Sequence, residues 1–254
     1  MDRLVYTAMN GASRTLENQA VISNNMANAN TPGFREQLAL YRAVPVVGDG
    51  TMDTRIGVAS STPGHNFALG NIQSTGRELD VAITGPGWLA VQTPDGEGYT
   101  RNGGLQVGVN GQLQNYLGQP VLSADNAAIE VPEGASLTFS SDGTITALGA
   151  GDPPNNIVAL GQLKLVNPPE QSLVHGDDGV FRMPLGADGQ PAAPLPADPL
   201  VRIVSGAIEA SNVSPVAAMV GMIDNARRFE MQMKVIQHAD TNAQQANALL
   251  SAGN

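Results

Sequence analysis

Residues 79–93 read LDVAITGPGWLAVQT. In the first five letters, leucine, valine and isoleucine alternate with aspartate and alanine, which is the period of a β-strand with one buried face. The same alternation recurs at residues 105–109, 162–165 and 201–203. Short alternating runs of this kind are typical of antiparallel sheets. They predict a β-rich domain in the middle of the chain.

Turn-forming residues separate the predicted strands. Aspartate, asparagine, proline and glycine favour the tight turns that join antiparallel neighbours. These turns are Pro94-Asp95-Gly96, Asn110-Gly111, Asp142-Gly143, Asp178-Gly179 and Asp188-Gly189. The predicted β-rich domain covers residues 70–205. Residues 36–69 before it are interpreted as an extended connecting segment, and the proline-rich residues 191–199 as a stiff loop.

A helix is predicted at the N-terminus. Residues 3–28 contain no proline and one glycine, and one row of mostly small side chains recurs at alternating steps of four and three. The row consists of Leu4, Ala8, Gly11, Thr15, Asn18, Ile22 and Asn25. The helix is expected to end before Pro32, because proline disfavours helical backbone at the residue that precedes it.

A longer helix is predicted over residues 215–250, with Ser214 as its N-cap and Pro215 as its first residue. Apolar residues form a coiled-coil-like seam along this helix, which Asp240 and Asn247 interrupt. The seam consists of Met219, Met222, Ala226, Phe229, Met233, Ile236, Ala243 and Leu250.

The predicted fold class is therefore a mainly β central domain plus an α-helical domain formed by the two chain termini. Four segments result. The first helix lies in residues 1–35, the connecting segment is 36–69, the β-rich domain is 70–205, and residues 206–254 carry a C-terminal helix that pairs with the first.

The charge lies in the middle of the chain. The net charge is −10, yet residues 1–35 carry +1 and residues 209–254 carry −1. Lysine and arginine are not clustered, so no nucleic-acid partner is expected. Nearly neutral ends pack against copies of themselves without strong repulsion. No apolar run approaches the roughly 18 residues of a membrane span, and the N-terminus lacks the apolar core of a cleaved secretory signal.

The sequence offers little catalytic chemistry. Cysteine is absent, and His65, His175 and His238 do not follow a metal-ligand spacing. Glu78 and Asp80 are the one acid and base pair to consider, although carboxylates beside a strand more often lie on its solvated face. We therefore expect no enzyme activity, no cofactor and no metal site. The alternatives are a β-rich enzyme acting on cell-wall polysaccharide, which needs two converging carboxylates, and a binding module that dimerises through its terminal helices.

Three segments resemble the bacterial flagellar rod and hook proteins. Residues 22–34, ISNNMANANTPGF, are similar to the N-terminal signature of that family, and residues 79–103 to its central motif, with Trp88 where phenylalanine is common. Residues 206–250 resemble its C-terminal helix. The resemblance covers essentially the whole chain. MDRLVYTAM, TPGF and ARRFEMQMKVI are most similar to proximal-rod members, with the distal rod as the alternative.

The resemblance implies a structural role. Members of the family polymerise into the periplasm-spanning drive shaft that transmits torque from the motor to the hook. They leave the cytoplasm through the flagellar type III export apparatus without a cleaved signal peptide. Their partners are copies of themselves and neighbouring rod proteins, including the distal-rod protein. Their terminal helices line the inner part of the tube.

We expect the chain ends to become ordered when several subunits meet, because seams rich in alanine and glycine bury little apolar area. The residues predicted to form the assembly interface belong to the two helices and to the segment after the first one. They are Leu4, Ala8, Gly11, Ile22, Asn24, Asn25, Ala27, Asn28, Thr31, Gly33, Phe34, Met219, Met222, Ala226, Phe229, Met233 and Ile236.

Overall fold

The computed structural model describes residues 2–45, 56–60, 64–151, 153, 155–186 and 190–252. Within these residues the chain is mainly β, with one long helix near each end. This confirms the predicted fold class at that level. The chain divides into two compact units, which are made of different segments.

The first unit comprises Met1–Ala29, Arg35–Asn66 and Val213–Asn254. Its elements are α1 (Asp2–Ala27), β1 (Gln37–Leu38), β2 (Tyr41–Pro45), β3 (Ile56–Ser60), β4 (Gly64–His65) and α2 (Pro215–Ala252). β2 pairs antiparallel with β3, and β1 with β4. The segment interpreted as an extended connection thus contains two antiparallel pairs. β1 and β4 have two residues each, so no alternation could mark them in the sequence.

Both helices have ends that follow from local chemistry. The Ser214 hydroxyl accepts a hydrogen bond from the backbone N–H of Ala217 at 3.4 Å, which confirms the predicted cap of α2. α1 tightens at its end, since the N–H of Ala29 donates to the carbonyl of Met26, three residues earlier, at 3.3 Å. Pro32 follows within one turn and has no N–H with which to continue the helix.

The second unit comprises Asn30–Phe34 and Phe67–Asn212. Its strands are β5 (Ile72–Ser74), β6 (Val81–Thr84), β7 (Trp88–Thr93), β8 (Gly96–Thr100), β9 (Leu105–Val107), β10 (Leu113–Asn115), β11 (Ser136–Phe139), β12 (Thr144–Leu148), β13 (Ile157–Gln162), β14 (Leu165–Val166), β15 (Val174–His175), β16 (Phe181–Arg182), β17 (Arg202–Ser205) and β18 (Ala207–Glu209). A single 3-10 turn, Glu170–Ser172, precedes β15.

The strands form antiparallel sheets of limited size. The largest has five strands in the order β14-β7-β8-β16-β15, and a second has the order β11-β12-β13. β9 pairs with β10, β6 with β17, and β5 with β18. The predicted turns at 94–96, 110–111, 142–143 and 178–179 each join two paired strands, which confirms them. The predicted turn Asp188-Gly189 lies outside the described residues.

The core of the second unit has two apolar clusters, and β7 lies between them. Leu89 and Val91 belong to the larger cluster, whereas Trp88 and Ala90 belong to an aromatic one. Both faces of this strand are therefore buried. The ring centroids of Trp88 and Phe181 lie 4.9 Å apart in the aromatic cluster.

Candidate assembly interface

The two helices of the first unit lie side by side and run antiparallel. Gly11, in the first half of α1, faces Gln232, in the middle of α2, and Ile22, near the end of α1, faces Gly221, near the start of α2. A Cβ atom added to Gly11 would lie 2.8 Å from Nε2 of Gln232, and one added to Gly221 would lie 3.4 Å from Cδ1 of Ile22. Small residues therefore allow the close approach of the two backbones.

The row predicted on α1 is the face that α1 buries. Ala8, Thr15 and Asn25 are buried, and Gly11 and Ile22 are half-buried. The side chain of Leu4 lies outside the described residues. The alternation of steps four and three was thus sufficient to identify this face.

On α2 the buried row differs from the predicted one at every second step. The positions of α2 that are buried or half-buried are Ala218, Gly221, Met222, Asn225, Phe229, Gln232, Ile236, Ala239, Ala243 and Ala246. Met222, Phe229, Ile236 and Ala243 belong to both rows. Met219 is 44% exposed, Met233 is 38% exposed, and Ala226 is also exposed. One residue along a helix turns the side chain by about 100°, so these three point away from the buried row.

Polar contacts explain why the buried row of α2 was hard to see in the sequence. Nδ2 of Asn225 donates to the backbone oxygen of Thr15 at 2.7 Å and to Oε1 of Gln19 at 2.9 Å. Oγ1 of Thr15 lies 3.3 Å from Oε1 of Gln232. If the helices slid past each other, the buried amide would lose these partners, so it fixes their register.

Both helices also carry large apolar side chains that stay exposed among the described residues of the first unit. On α1 they are Tyr6, Met9 and Leu16, which are 72%, 54% and 57% exposed. On the N-terminal half of α2 they are Val216, Met219, Val220 and Ile223. Met231 and Met233 continue the exposed apolar surface towards its C-terminus. Large exposed apolar patches mark interaction sites, so these faces of the two helices are candidate contact surfaces.

The end of α1 uses its asparagines locally. Nδ2 of Asn25 donates to the carbonyl of Gln37 at 2.8 Å, and the N–H of Gln37 donates to Oδ1 of Asn25 at 2.8 Å, which holds β1 against the helix. Nδ2 of Asn28 donates to the carbonyl of Asn24 at 3.0 Å. Asn24 and Ala27 themselves are exposed. Of the predicted interface residues at this end, Asn25 and Asn28 therefore make hydrogen bonds within the first unit, whereas the side chains of Asn24 and Ala27 are exposed.

Gly33 lies buried inside the second unit. Its backbone φ is +69°, and its N–H donates to the carbonyl of Glu209 at 2.8 Å. A Cβ atom at this position would lie 2.4 Å from the carbonyl carbon of Arg101 and 2.5 Å from the nitrogen of Asn102. Any residue with a Cβ must therefore displace backbone as well as adopt the left-handed region. The flanking Thr31 and Phe34 are half-buried.

Beside Gly33 lies a buried ion pair. Nε of Arg101 donates to Oε2 of Glu209 at 2.6 Å, and the two side chains are only 2% and 1% exposed. Oε1 of Glu209 accepts the N–H of Gly70 at 2.8 Å. Nη1 of Arg101 donates to the carbonyls of Gly85 and Gly87, and Nη2 donates to the carbonyl of Ile83. A buried charge pair needs such additional hydrogen bonds to offset its desolvation.

Sequence reasoning did not assign this ion pair. Arg101 and Glu209 stood inside the stretches that carry the family resemblance, but their separation of 108 residues hid the contact. A charged residue next to a strand of otherwise apolar and small residues was the available signal, and it marks a buried partner only once the topology is known.

The alternative carboxylate pair does not form. Asp80 is buried, where Oδ2 accepts the Thr75 hydroxyl at 2.6 Å and Oδ1 accepts Nε of Arg77 at 2.9 Å. Glu78 is exposed. In the part of the chain that the structure describes, no three histidine, aspartate or glutamate side chains converge in a way that suits a metal ion. Neither of the two described helices is long and apolar enough to cross a bilayer.

Three family models match the chain in the order of its segments. The flagella basal body rod protein model matches residues 5–35. The flagellar hook protein FlgE/F/G D1 domain model matches residues 82–147. The flagellar basal body rod FlgEFG protein C-terminal model matches residues 204–249. These segments carry α1, the centre of the β-rich unit, and α2.

Curated relatives match over the whole length. The chain is 53% identical to the flagellar basal-body rod protein FlgF of Salmonella typhimurium, over 99% of each chain. It is 52% identical to FlgF of Escherichia coli, again over 99% of each. It is 30% identical to the rod protein FlgG of Buchnera aphidicola, over 91% of this chain and 94% of that one. By identity and coverage together, this chain belongs to the family of flagellar basal-body rod proteins.

Proposed function

We propose that this chain is a structural subunit of the proximal rod of the bacterial flagellum, where it polymerises into the periplasm-spanning shaft that transmits torque from motor to hook. The observation that carries the proposal is the end-to-end similarity to FlgF, with 53% and 52% identity in two bacteria. The distal-rod alternative is less favoured, because the FlgG relative is 30% identical.

Polymerisation rests on the uncovered rows of the two helices. α2 uses one row against α1, and Met219, Ala226 and Met233 face away from that row. Helices of neighbouring subunits cover these side chains in the assembled rod, in a coiled-coil-like arrangement. Methionine suits such a surface, since its flexible side chain repacks against different neighbours.

The helix pair of a single subunit is held weakly. Its buried row consists largely of alanine, glycine and amide side chains. An alanine buries far less apolar area than a leucine, whereas ordering each backbone residue costs about 1–2 kcal/mol. The chain ends therefore gain most of their order from neighbours. Weakly held ends also suit passage through a narrow export channel.

The remaining features of the proposal follow from the same role. The partners are copies of this chain, neighbouring rod proteins that include the distal-rod protein, and the flagellar type III export apparatus. The location is the periplasmic rod, reached without a cleaved signal peptide. A net charge of −10 disfavours nucleic acid as a partner.

The assembly surface is tested with a double substitution, Met219→Asp with Met233→Asp, in a strain that lacks the chromosomal copy. Both side chains are exposed, so the isolated protein should melt as the parent does, while cells lose motility and their basal bodies end before the hook. The matched control is Asn242→Asp with Gln245→Asp, which adds the same charges at exposed polar positions of α2. Motile cells with the methionine double variant would refute the proposed contact surface.

The weak ends are tested separately by limited proteolysis of the free subunit. Cleavage should begin in the residues of α1 and α2 and spare the β-rich unit. Ends that resist protease as well as residues 70–205 do would contradict coupled ordering, without touching the proposed place in the rod.

A further inference from the structure

In the described part of α2, Asn225 is the most deeply buried polar side chain, at 4% exposed. A primary amide has two N–H groups and one acceptor oxygen. Nδ2 of Asn225 donates to the backbone oxygen of Thr15 and to Oε1 of Gln19, and its Oδ1 lies 3.4 Å from Nδ2 of Asn18. Both polar atoms of this buried side chain therefore have their partners on α1.

A helix that lacks matching acceptors is a poor partner for this row of α2. A buried N–H group left without an acceptor weakens a contact by roughly tenfold or more. The exposed faces of the two helices offer such mismatched partners. Met9 and Leu16 on α1, and Val220 and Ile223 on α2, are each more than half exposed, and their side chains contain no nitrogen or oxygen. Polymerisation brings these apolar faces close to α2 of every subunit.

We propose that Asn225 is a specificity-determining residue for assembly. It reserves the buried row of α2 for the face of α1 that carries Thr15 and Gln19, and it leaves the exposed rows for neighbouring subunits. This inference rests on the proposed function, because a polymer is what offers α2 competing helices. A single buried asparagine selects the pairing of coiled coils in the same way, at some cost in stability. Leucine at this position would remove the selection, since it packs against any apolar neighbour.

The test compares two peptides on the full-length protein. The chain has no cysteine, so Gly221→Cys gives the protein a single thiol. The peptides span residues 2–29 and carry Ile22→Cys, because a Cβ atom at position 221 lies 3.4 Å from Cδ1 of Ile22. One peptide keeps Gln19 and the other carries Gln19→Leu. Both are added in excess in a glutathione redox buffer, and mass spectrometry measures the disulfide that each forms with the protein. The protein's own α1 competes equally with both peptides, so the ratio of the two products reports selection alone.

The peptide with Gln19 should form about tenfold more disulfide than the Gln19→Leu peptide, as the loss of one buried acceptor implies. In a protein that also carries Asn225→Leu, the ratio should fall to about one or below. A third peptide with Asn24→Leu, at an exposed amide of α1, should pair as well as the peptide with Gln19. This control carries the same gain in helix propensity and apolar area without touching the buried row.

Three results would each overturn the proposal. They are a ratio near one in the protein with Asn225, the same tenfold preference in the Asn225→Leu protein, and no disulfide with any peptide, since a weakly held helix pair must exchange. If Asn225→Leu loses helix content by circular dichroism, Asn225→Ala decides by the same ratio. A merely structural asparagine would lower helix content without changing the preference between peptides. None of these results bears on the place of the chain in the rod, which the motility of the methionine variant tests.

Discussion

Replacing Glu209 by glutamine keeps the shape of the side chain and removes its charge. Among its contacts, the carboxylate accepts hydrogen bonds from Nε of Arg101 at 2.6 Å and from the N–H of Gly70 at 2.8 Å. Glutamine has one acceptor oxygen and one NH2 group. Whichever way the amide turns, a buried donor faces another donor, and one of the two hydrogen bonds is lost.

The expected loss of stability follows from those two contacts. The charged hydrogen bond contributes about 1.5–3 kcal/mol, and a buried donor left without an acceptor costs about 1–3 kcal/mol. The sum agrees with the roughly 3–5 kcal/mol typical of removing one partner of a buried ion pair. In a unit of this size each kcal/mol lowers Tm by about 2–4 °C, so we expect a decrease of roughly 10 °C.

Trp88 makes the assay specific to the second unit. It is the single tryptophan of the chain and is 3% exposed beside Phe181, so its fluorescence follows unfolding of the unit that contains the ion pair. Glu130→Gln, the same chemical change at an exposed site, should leave Tm within about 2 °C, as surface substitutions usually do. If Glu209→Gln melts with that control, the pair with Arg101 does not stabilise the unit and the reasoning fails.

Three further predictions concern single positions. Gly33→Ala should lower the Trp88 melting temperature, because its Cβ would lie 2.4 Å from the Arg101 backbone; unchanged melting would show that the backbone yields. Gly221→Ala should raise helix content and stabilise the first unit by about 0.5–1 kcal/mol, measured by circular dichroism during urea unfolding, because its Cβ meets Ile22 at an ordinary 3.4 Å. Burial lowers the pKa of the His175 imidazole, so its NMR titration in the folded protein should have a midpoint below 6.5. As the pH falls below 6.5, the unfolded chain takes up the proton before the folded chain does, so the free energy of unfolding decreases. His175→Gln should remove that part of the pH dependence, and an equally steep profile in the variant would contradict the assignment.

The sequence was informative wherever one residue type reports one environment. The turns at Asn110-Gly111 and Asp142-Gly143 follow from backbone preference alone, and the cap at Ser214 follows from hydrogen bonding within one turn. The face of α1 that is buried was visible because its small residues recur at helical spacing. These features depend on neighbours in the chain, which a sequence shows directly.

Other features depend on partners that are distant in the chain. Asn225 and Gln232 look like surface residues in the sequence, yet they lie in the buried row of α2, where α1 offers a backbone carbonyl, two side-chain amides and the hydroxyl of Thr15. Arg101 and Glu209 are 108 residues apart in the sequence, so their contact depends on how the strands that carry them are arranged. The seam predicted on α2 was therefore displaced by one residue at Met219, Ala226 and Met233, because hydrophobicity ranks alanine above Asn225 and methionine above Gln232.

The hydrogen bonds around Gly33 have a mechanical consequence. Within the second unit, the segment that arrives from α1 and the segment that departs towards α2 are tied to each other, by the N–H of Gly33 on the carbonyl of Glu209 and by the N–H of Asn212 on the carbonyl of Phe34. A pull on either segment strains both rungs together, along with the contacts of Glu209 to Gly70 and Arg101. Bonds that must break together withstand more force than bonds that open one after another. Within the second unit, the segments that lead to α1 and α2 therefore carry a load together, because each is hydrogen-bonded to the other.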